Sequence, residues 1–146
     1  MYLDSLNAIR ALLKNSVPSV TTVYVDDVPA NFEQPSFFIE HVHSGSEDLN
    51  FTYMQFNIQW QLVYFPPRLK SGIPDRMNQL EMAEQLRGIF TAQPYLMSPT
   101  GRVYLIDSYD GGPRGDELYI SIRLHTQLQR EKPTYETMQQ MHLKEE

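Results

Sequence analysis

The sequence contains no cysteine. That absence removes disulfides, thiolate nucleophiles and zinc–thiolate centres as explanations of what the chain does. It is also poor in positive charge, with twelve Lys and Arg against eighteen Asp and Glu and a formal net charge of −6. The twelve bases are scattered and form no dense run, which argues against a tight nucleic-acid binder, since phosphate contacts need clustered Lys and Arg. No apolar run approaches the roughly 20 residues of a membrane helix. The first residues, Met1-Tyr2-Leu3-Asp4, lack the charged and apolar regions of a signal peptide, so synthesis in the cytoplasm is expected.

The chain's 146 residues fit one domain, and a globule of this size buries roughly 70% of its unfolded surface. Nine Tyr and seven Phe supply large side chains for a sheet core and for an interface.

Tyr2, Leu6, Ile9 and Leu13 recur at helical spacing, with Leu3 and Leu12 beside them, and predict a helix over 2–14 that Pro18 forbids from continuing far. Residues 21–25 read as a short strand, 26–31 as a turn and 36–43 as a second strand. Residues 44–48 read as a hairpin loop. The clearest pattern follows. Met54, Phe56, Ile58, Trp60, Leu62 and Tyr64 share one parity, and Gln55, Asn57, Gln59 and Gln61 share the other, as a strand with one buried face requires. A second helix is predicted over 75–92, with Asp75 at its start and Met77, Leu80, Ala83, Leu86 and Phe90 as its stripe. Strands over 102–107 and 118–125 close the pattern, with Leu128 continuing the apolar face of the second, joined by a Gly-rich hairpin loop over 110–116.

The order α-β-β-β-α-β-β predicts a two-layer α+β domain over 1–130, with two helices on one face of a mainly antiparallel sheet of about five strands. Residues 131–146 read as a polar C-terminal tail in which Tyr135, Met138 and Met141 make only a thin stripe.

The search for chemistry finds little. His41 and His43 are expected to share a strand face, a spacing two metal ligands can use, but no acid is placed by sequence to complete a site. His125 and His142 stand apart. Asp26-Asp27 and Glu47-Asp48 do not follow the spacing of a calcium loop. The stretch Gly111-Gly112-Pro113-Arg114-Gly115 lacks the Lys-Ser/Thr ending of a phosphate loop, and no G-x-S-x-G elbow appears. No catalytic, metal-binding or cofactor-binding residue is therefore expected, and the chain is read as a non-enzyme whose surfaces do the work. The amide row bears on that reading, because neutral amides both donate and accept hydrogen bonds and suit a wet interface.

The stretch Val23-Tyr24-Val25-Asp26-Asp27-Val28, followed by Phe32-Glu33-Gln34-Pro35-Ser36-Phe37-Phe38-Ile39, resembles the small tail terminator proteins of long-tailed phages and prophages. Their pattern has a "vY-x-(D/E)-x-V" strand and turn and then "F-x-x-P-x-F-F-I". The resemblance runs on through the aromatic strand ending Val63-Tyr64-Phe65-Pro66 and into the helix after Asp75, and fades after about residue 92. Family members often have Gln-Gly where this chain has Ala30-Asn31, and Cys where it has Ser36.

The resemblance implies a structural virion protein at the head-proximal end of the tail. Such proteins form a ring, commonly a hexamer, that caps the tail tube, ends its polymerisation and presents a surface to the head–tail connector protein. Expected partners are therefore other copies of the chain, the tail tube protein and the connector, with DNA passing through the lumen without specific binding, and no membrane. Under this reading Gln55, Gln59 and Gln61 are expected on a sheet-face interface, and Arg114 and Asp116 at a loop contact. The competing readings are another neck or head–tail joining protein, an α+β binding or regulatory module with an apolar pocket, and an enzyme with an unrecognised site.

Overall fold

The structure is a computed structural model and describes residues 1–130. The expected tail, with Tyr135, Met138, Met141 and His142, lies outside the described residues.

Helix α1 (Tyr2–Ser16) is followed by strands β1 (Val23–Val25), β2 (Ser36–Asp48) and β3 (Tyr53–Phe65), helix α2 (Arg76–Thr91), and strands β4 (Tyr95–Met97), β5 (Val103–Arg114) and β6 (Glu117–Gln129). The strands form one sheet in the order β1-β2-β3-β6-β5-β4. The α+β class stands, but there are six strands rather than five, and the sheet is mixed because β1 runs parallel to β2. A parallel connection normally needs a dozen or more residues. Here β1 is only three residues long, so residues 26–35 suffice for the return. Thr22 Oγ1 donates to Glu33 at 2.7 Å, the Glu33 amide donates to the Tyr24 hydroxyl at 3.0 Å, and Phe32 packs on Phe65.

Both long hairpins extend further than the sequence pattern indicated. The stretch 44–48, read as a loop, is the end of β2, and the turn lies beyond it, where Asn50 Oδ1 accepts the amides of Thr52 and Tyr53. The Gly-rich stretch 110–114 is likewise strand, paired to β6 as far as Arg114↔Glu117. Loop composition misled because the core faces of these ends are occupied by backbone and small side chains rather than by apolar alternation.

Trp60 and Tyr64 share a face of β3. The Trp60 indole donates to Ser5 Oγ of α1 at 3.0 Å, and the Tyr64 hydroxyl donates to Asn78 of α2 at 2.6 Å. Both helices therefore cover the same face, over a core that includes Leu6, Ile9, Leu13, Leu86, Phe90 and the inward residues of β2, β3, β5 and β6. The Asp75 side chain caps α2 by accepting the Asn78 amide at 3.1 Å.

The helices are rotated slightly from the stripes expected of them. Met77 and Leu80 are exposed, and Gln79, Met82, Leu86 and Phe90 point inward. The Gln79 amide is the cause: it donates to the carbonyls of Gly115 and Glu117, at 3.2 and 2.7 Å, and pins the β5–β6 turn. On α1, Tyr2 and Leu3 are exposed while Ser5 is buried beneath the indole of Trp60.

Asp4 fixes α1 to the far side of the sheet, accepting from Thr100 Oγ1 and from the Tyr104 hydroxyl at 2.7 Å each. Partial burial pushes its carboxyl up, but hydrogen bonds from Thr100, Tyr104 and Ser98 and the N-terminal charge outweigh that and hold it below its ordinary value of 3.8. A carboxyl lowered on folding adds stability that is complete above its unfolded value and lost as pH falls through the folded one. Asp4→Asn is expected to flatten the acid limb of a melting-temperature profile below 3.8. Parallel acid limbs for the two proteins would show that this contact contributes nothing through its charge.

Candidate functional site

Among the described residues, nothing covers the face of the sheet turned away from the helices. Its composition follows from strand parity. In β3, Gln55, Asn57, Gln59 and Gln61 are half-buried on this side, while Phe56, Ile58, Trp60 and Leu62 are buried on the other. Register sets their neighbours. Gln61 lies between Glu40 and Ser121, Gln59 between His43 and Arg123, Asn57 between Gly45 and His125, and Gln55 between Glu47 and Gln127.

The amides are tied to one another and to these neighbours. Gln55 Nε2 donates to Asn57 Oδ1 at 2.8 Å, Asn57 Nδ2 donates to Glu47 at 3.1 Å, and Gln59 Nε2 donates to Ser121 Oγ at 2.6 Å. Beside them His125 Nδ1 lies 2.6 Å from Asp107 Oδ1. The result is a pre-ordered polar surface whose groups are held by neighbours yet remain accessible at its edge, as a wet protein interface requires.

This polar centre is flanked by apolar ground. At one end Phe32 and Phe65 pack together beside Val63. Along β4 and β5 the exposed large apolar side chains are Met97, Val103 and Leu105. The turn between β2 and β3 carries Leu49, Phe51 and Tyr53, and Phe51 is 99% exposed. Sequence reasoning missed this tip. A large apolar residue held in water by a tight turn is visible only once the turn is located.

Gln55, Gln59 and Gln61 are brought together, as expected, on one row of one face. Arg114 and Asp116 are not on that row. The Arg114 guanidinium lies over the Tyr119 ring, 5.7 Å from its centre, at the end of β5. Asp116 lies in the β5–β6 turn, 3.9 Å from Arg76, with both side chains largely exposed. They occupy a strand end and a tight turn rather than a broad loop.

The two histidines expected on one face are separated. A bulge in β2 between His41 and His43 inserts an extra residue, so His41 comes opposite Trp60 and His43 opposite Gln59. His41 packs edge-on against Tyr2 and Trp60 on the helix side, with ring centres 5.3 and 5.6 Å away, and His43 lies on the open side. Asp26 accepts the His41 amide at 3.3 Å, and Asp48 pairs with Arg130. Among the described residues no group of three or more His, Asp and Glu is placed to hold a metal, and no helix is long and apolar enough to cross a membrane.

Comparison with known proteins agrees with a part of this picture. A family model described as phage tail terminator protein matches residues 4–136. No curated protein matches the chain. One solved structure, 14% identical, is matched over 88% of this chain and 98% of its own with a TM-score of 0.36, too distant a likeness to carry an argument.

Proposed function

This chain belongs to the phage tail terminator family, which gives it a structural role in the phage tail, and on that premise we propose that it caps the tail tube as a ring of identical subunits. The ring, of six copies in this reading, ends tube polymerisation and offers its outer surface to the head–tail connector, while DNA passes through the lumen without being gripped. It turns over no substrate.

The observation that carries the reading is the open face, a helix-free sheet surface whose centre is a row of neutral amides held in place by their neighbours. An ordinary solvated strand face of this length would carry Lys or Glu at alternate positions. Here Gln55, Gln59 and Gln61 leave the central strand uncharged between Glu40, Glu47 and Arg123 of its neighbours, which lowers the desolvation cost of covering that row. Arg114 and Asp116, exposed at the far end of the β5–β6 hairpin, are the proposed charged contacts. A closed ring joins two different patches of each subunit, so sheet face and hairpin end need not resemble one another.

Electron microscopy of particles made without this protein tests the assignment. Overlong tubes, or tails without heads, are expected. Tubes of normal length with heads attached would overturn it.

A further inference from the structure

The two edges of the sheet are stepped in opposite senses. Among the described residues, β1 covers only Phe37–Ile39 of β2 on one edge, and β2 continues uncovered from the bulge at Val42 to Asp48. On the other edge β4 covers only Val103–Leu105 of β5, and β5 continues uncovered from the bulge at Asp107 to Arg114. Through the intervening pairings, β4 lies level with Gln55–Asn57 of β3 and β1 lies level with Leu62–Tyr64. The projecting strand of one edge is therefore level with the recess of the other.

We propose that copies of this chain join edge to edge, β4 of one subunit entering the recess beside β2 of the next while β1 of that next subunit enters the recess beside β5 of the first. This rests on the ring reading and puts the contact between copies at the sheet edges, not on the amide face of β3. β4 and the partner's β1 then share a single strand position, one in each half, so that the sheet runs on from copy to copy. Both directions are permitted. Following the antiparallel pairings across the sheet, β4 runs the same way as β2, which gives a parallel contact, and β5 runs against β1, which gives an antiparallel one.

Shape alone would also let two β2 edges meet about a two-fold axis. Charge decides against that. Residues 15–67, which build β1, β2 and β3, contain six acids (Asp26, Asp27, Glu33, Glu40, Glu47 and Asp48) and no Lys or Arg. Residues 68–130, which build the other three strands, contain eight Lys and Arg against seven acids. A two-fold contact would set an edge whose own charged residues are all acids against its copy, whereas a head-to-tail contact sets it against the β4–β5 edge, where Arg102 and Arg114 balance Asp107 and Asp110. With the sheets level, Arg102 comes level with Asp48 across the strand position of β4, where Asp48 already pairs with Arg130, and Arg114 comes beside Thr22 and its bonded neighbour Glu33. Asp110 comes level with Asp26 in the same alignment, which a stagger of a residue or two relieves. The bulges in β2 and β5 discourage indiscriminate strand pairing, and Pro113, level with Val23 of the incoming β1, offers it no amide, so the hydrogen bonds of that half come from its neighbours.

The absence of native cysteine makes the test clean. Met97 on β4 and His43, Gly45 and Glu47 on β2 all lie on the open face. A disulfide forms only when Cα atoms come within roughly 4.4–6.8 Å, a window that neighbouring strands meet. Met97→Cys combined with Glu47→Cys tests the level register, and its combinations with Gly45→Cys and His43→Cys test two staggers. Gly45 has open space where a side chain would begin. The full-length variants are oxidised alone and with purified tail tubes, with light scattering and circular dichroism as controls of assembly and fold.

One double variant is expected to give a ladder of covalent multimers that the corresponding single variants do not give. A closed oligomer with no ladder in any of the three registers would overturn edge joining and leave the ring standing. Covalent dimers of Glu47→Cys, Gly45→Cys or His43→Cys alone would overturn it in favour of the two-fold contact between β2 edges, and dimers of Met97→Cys alone in favour of one between β4 edges. A chain that stays monomeric even on tail tubes would sink both this inference and the ring.

Discussion

Gly111→Ala is expected to lower the stability of the domain by roughly 3 kcal/mol, the upper end of the cost of a disallowed backbone conformation. Gly111 lies inside β5 opposite Ile120, with φ of +129°, a value that side chains rarely adopt. The added methyl would also begin 2.1 Å from the Tyr119 carbonyl oxygen on the neighbouring strand, a rigid backbone atom. Strain and collision act together, and relief requires β5 and β6 to part. The next residue supplies the control. Gly112 has neither a positive φ nor an atom within 4 Å of the new methyl, so Gly112→Ala is expected to change stability by no more than about 0.5 kcal/mol. Denaturant unfolding followed by circular dichroism compares them, and equal losses at the two positions would refute the argument.

Trp60→Ala is expected to cost about 3–5 kcal/mol, the range for deleting a large aromatic from a core. Trp60 is 3% exposed, packs against His41, and bonds the Ser5 hydroxyl of α1. Truncation leaves a cavity beneath the helix and removes one of two partners of the buried Ser5 hydroxyl, which still donates to the Tyr2 carbonyl at 3.0 Å. Trp60→Phe separates these causes, because it keeps most of the volume and loses the donor. Its cost should be closer to the roughly 0.5–1.5 kcal/mol of one lost hydrogen bond plus a small void. If the two variants unfolded at the same denaturant concentration, packing volume would not be what holds α1 in place.

How far the sequence could be read depended on what each segment packs against. The alternation from Met54 to Tyr64 was legible because β3 is central, covered on one side only, and flanked by long partners for its whole length. The inward row Leu118, Ile120, Ile122 and Leu124 was legible for the same reason. The ends of β2 and β5 were not, because Ser44-Gly45-Ser46 and Asp110-Gly111-Gly112 carry turn composition while their backbones complete ladders to β3 and β6. Such stretches are held by hydrogen bonds to neighbours far away in the chain, which composition does not record. The strand β4 and the parallel placement of β1 were hidden because three residues are too few to show a period.

The candidate surface was legible in its chemistry but not in its outline. Parity alone put Gln55, Gln59 and Gln61 together. It could not show that His41 and His43 part company, since one extra residue at Val42 reverses the side on which every later residue of β2 falls. Nor could it show that Gln79 faces inward in place of Leu80, because the carbonyls that hold Gln79 belong to a turn some 36 residues away.

The chain has a single tryptophan, and that residue reports from one place. Its indole touches α1 through Ser5 and β2 through His41 and makes no hydrogen bond to α2. Fluorescence emission from the unmodified protein is therefore a local gauge of whether the first helix is seated. A shift to longer wavelength that precedes loss of ellipticity would mark detachment of that helix before the sheet comes apart.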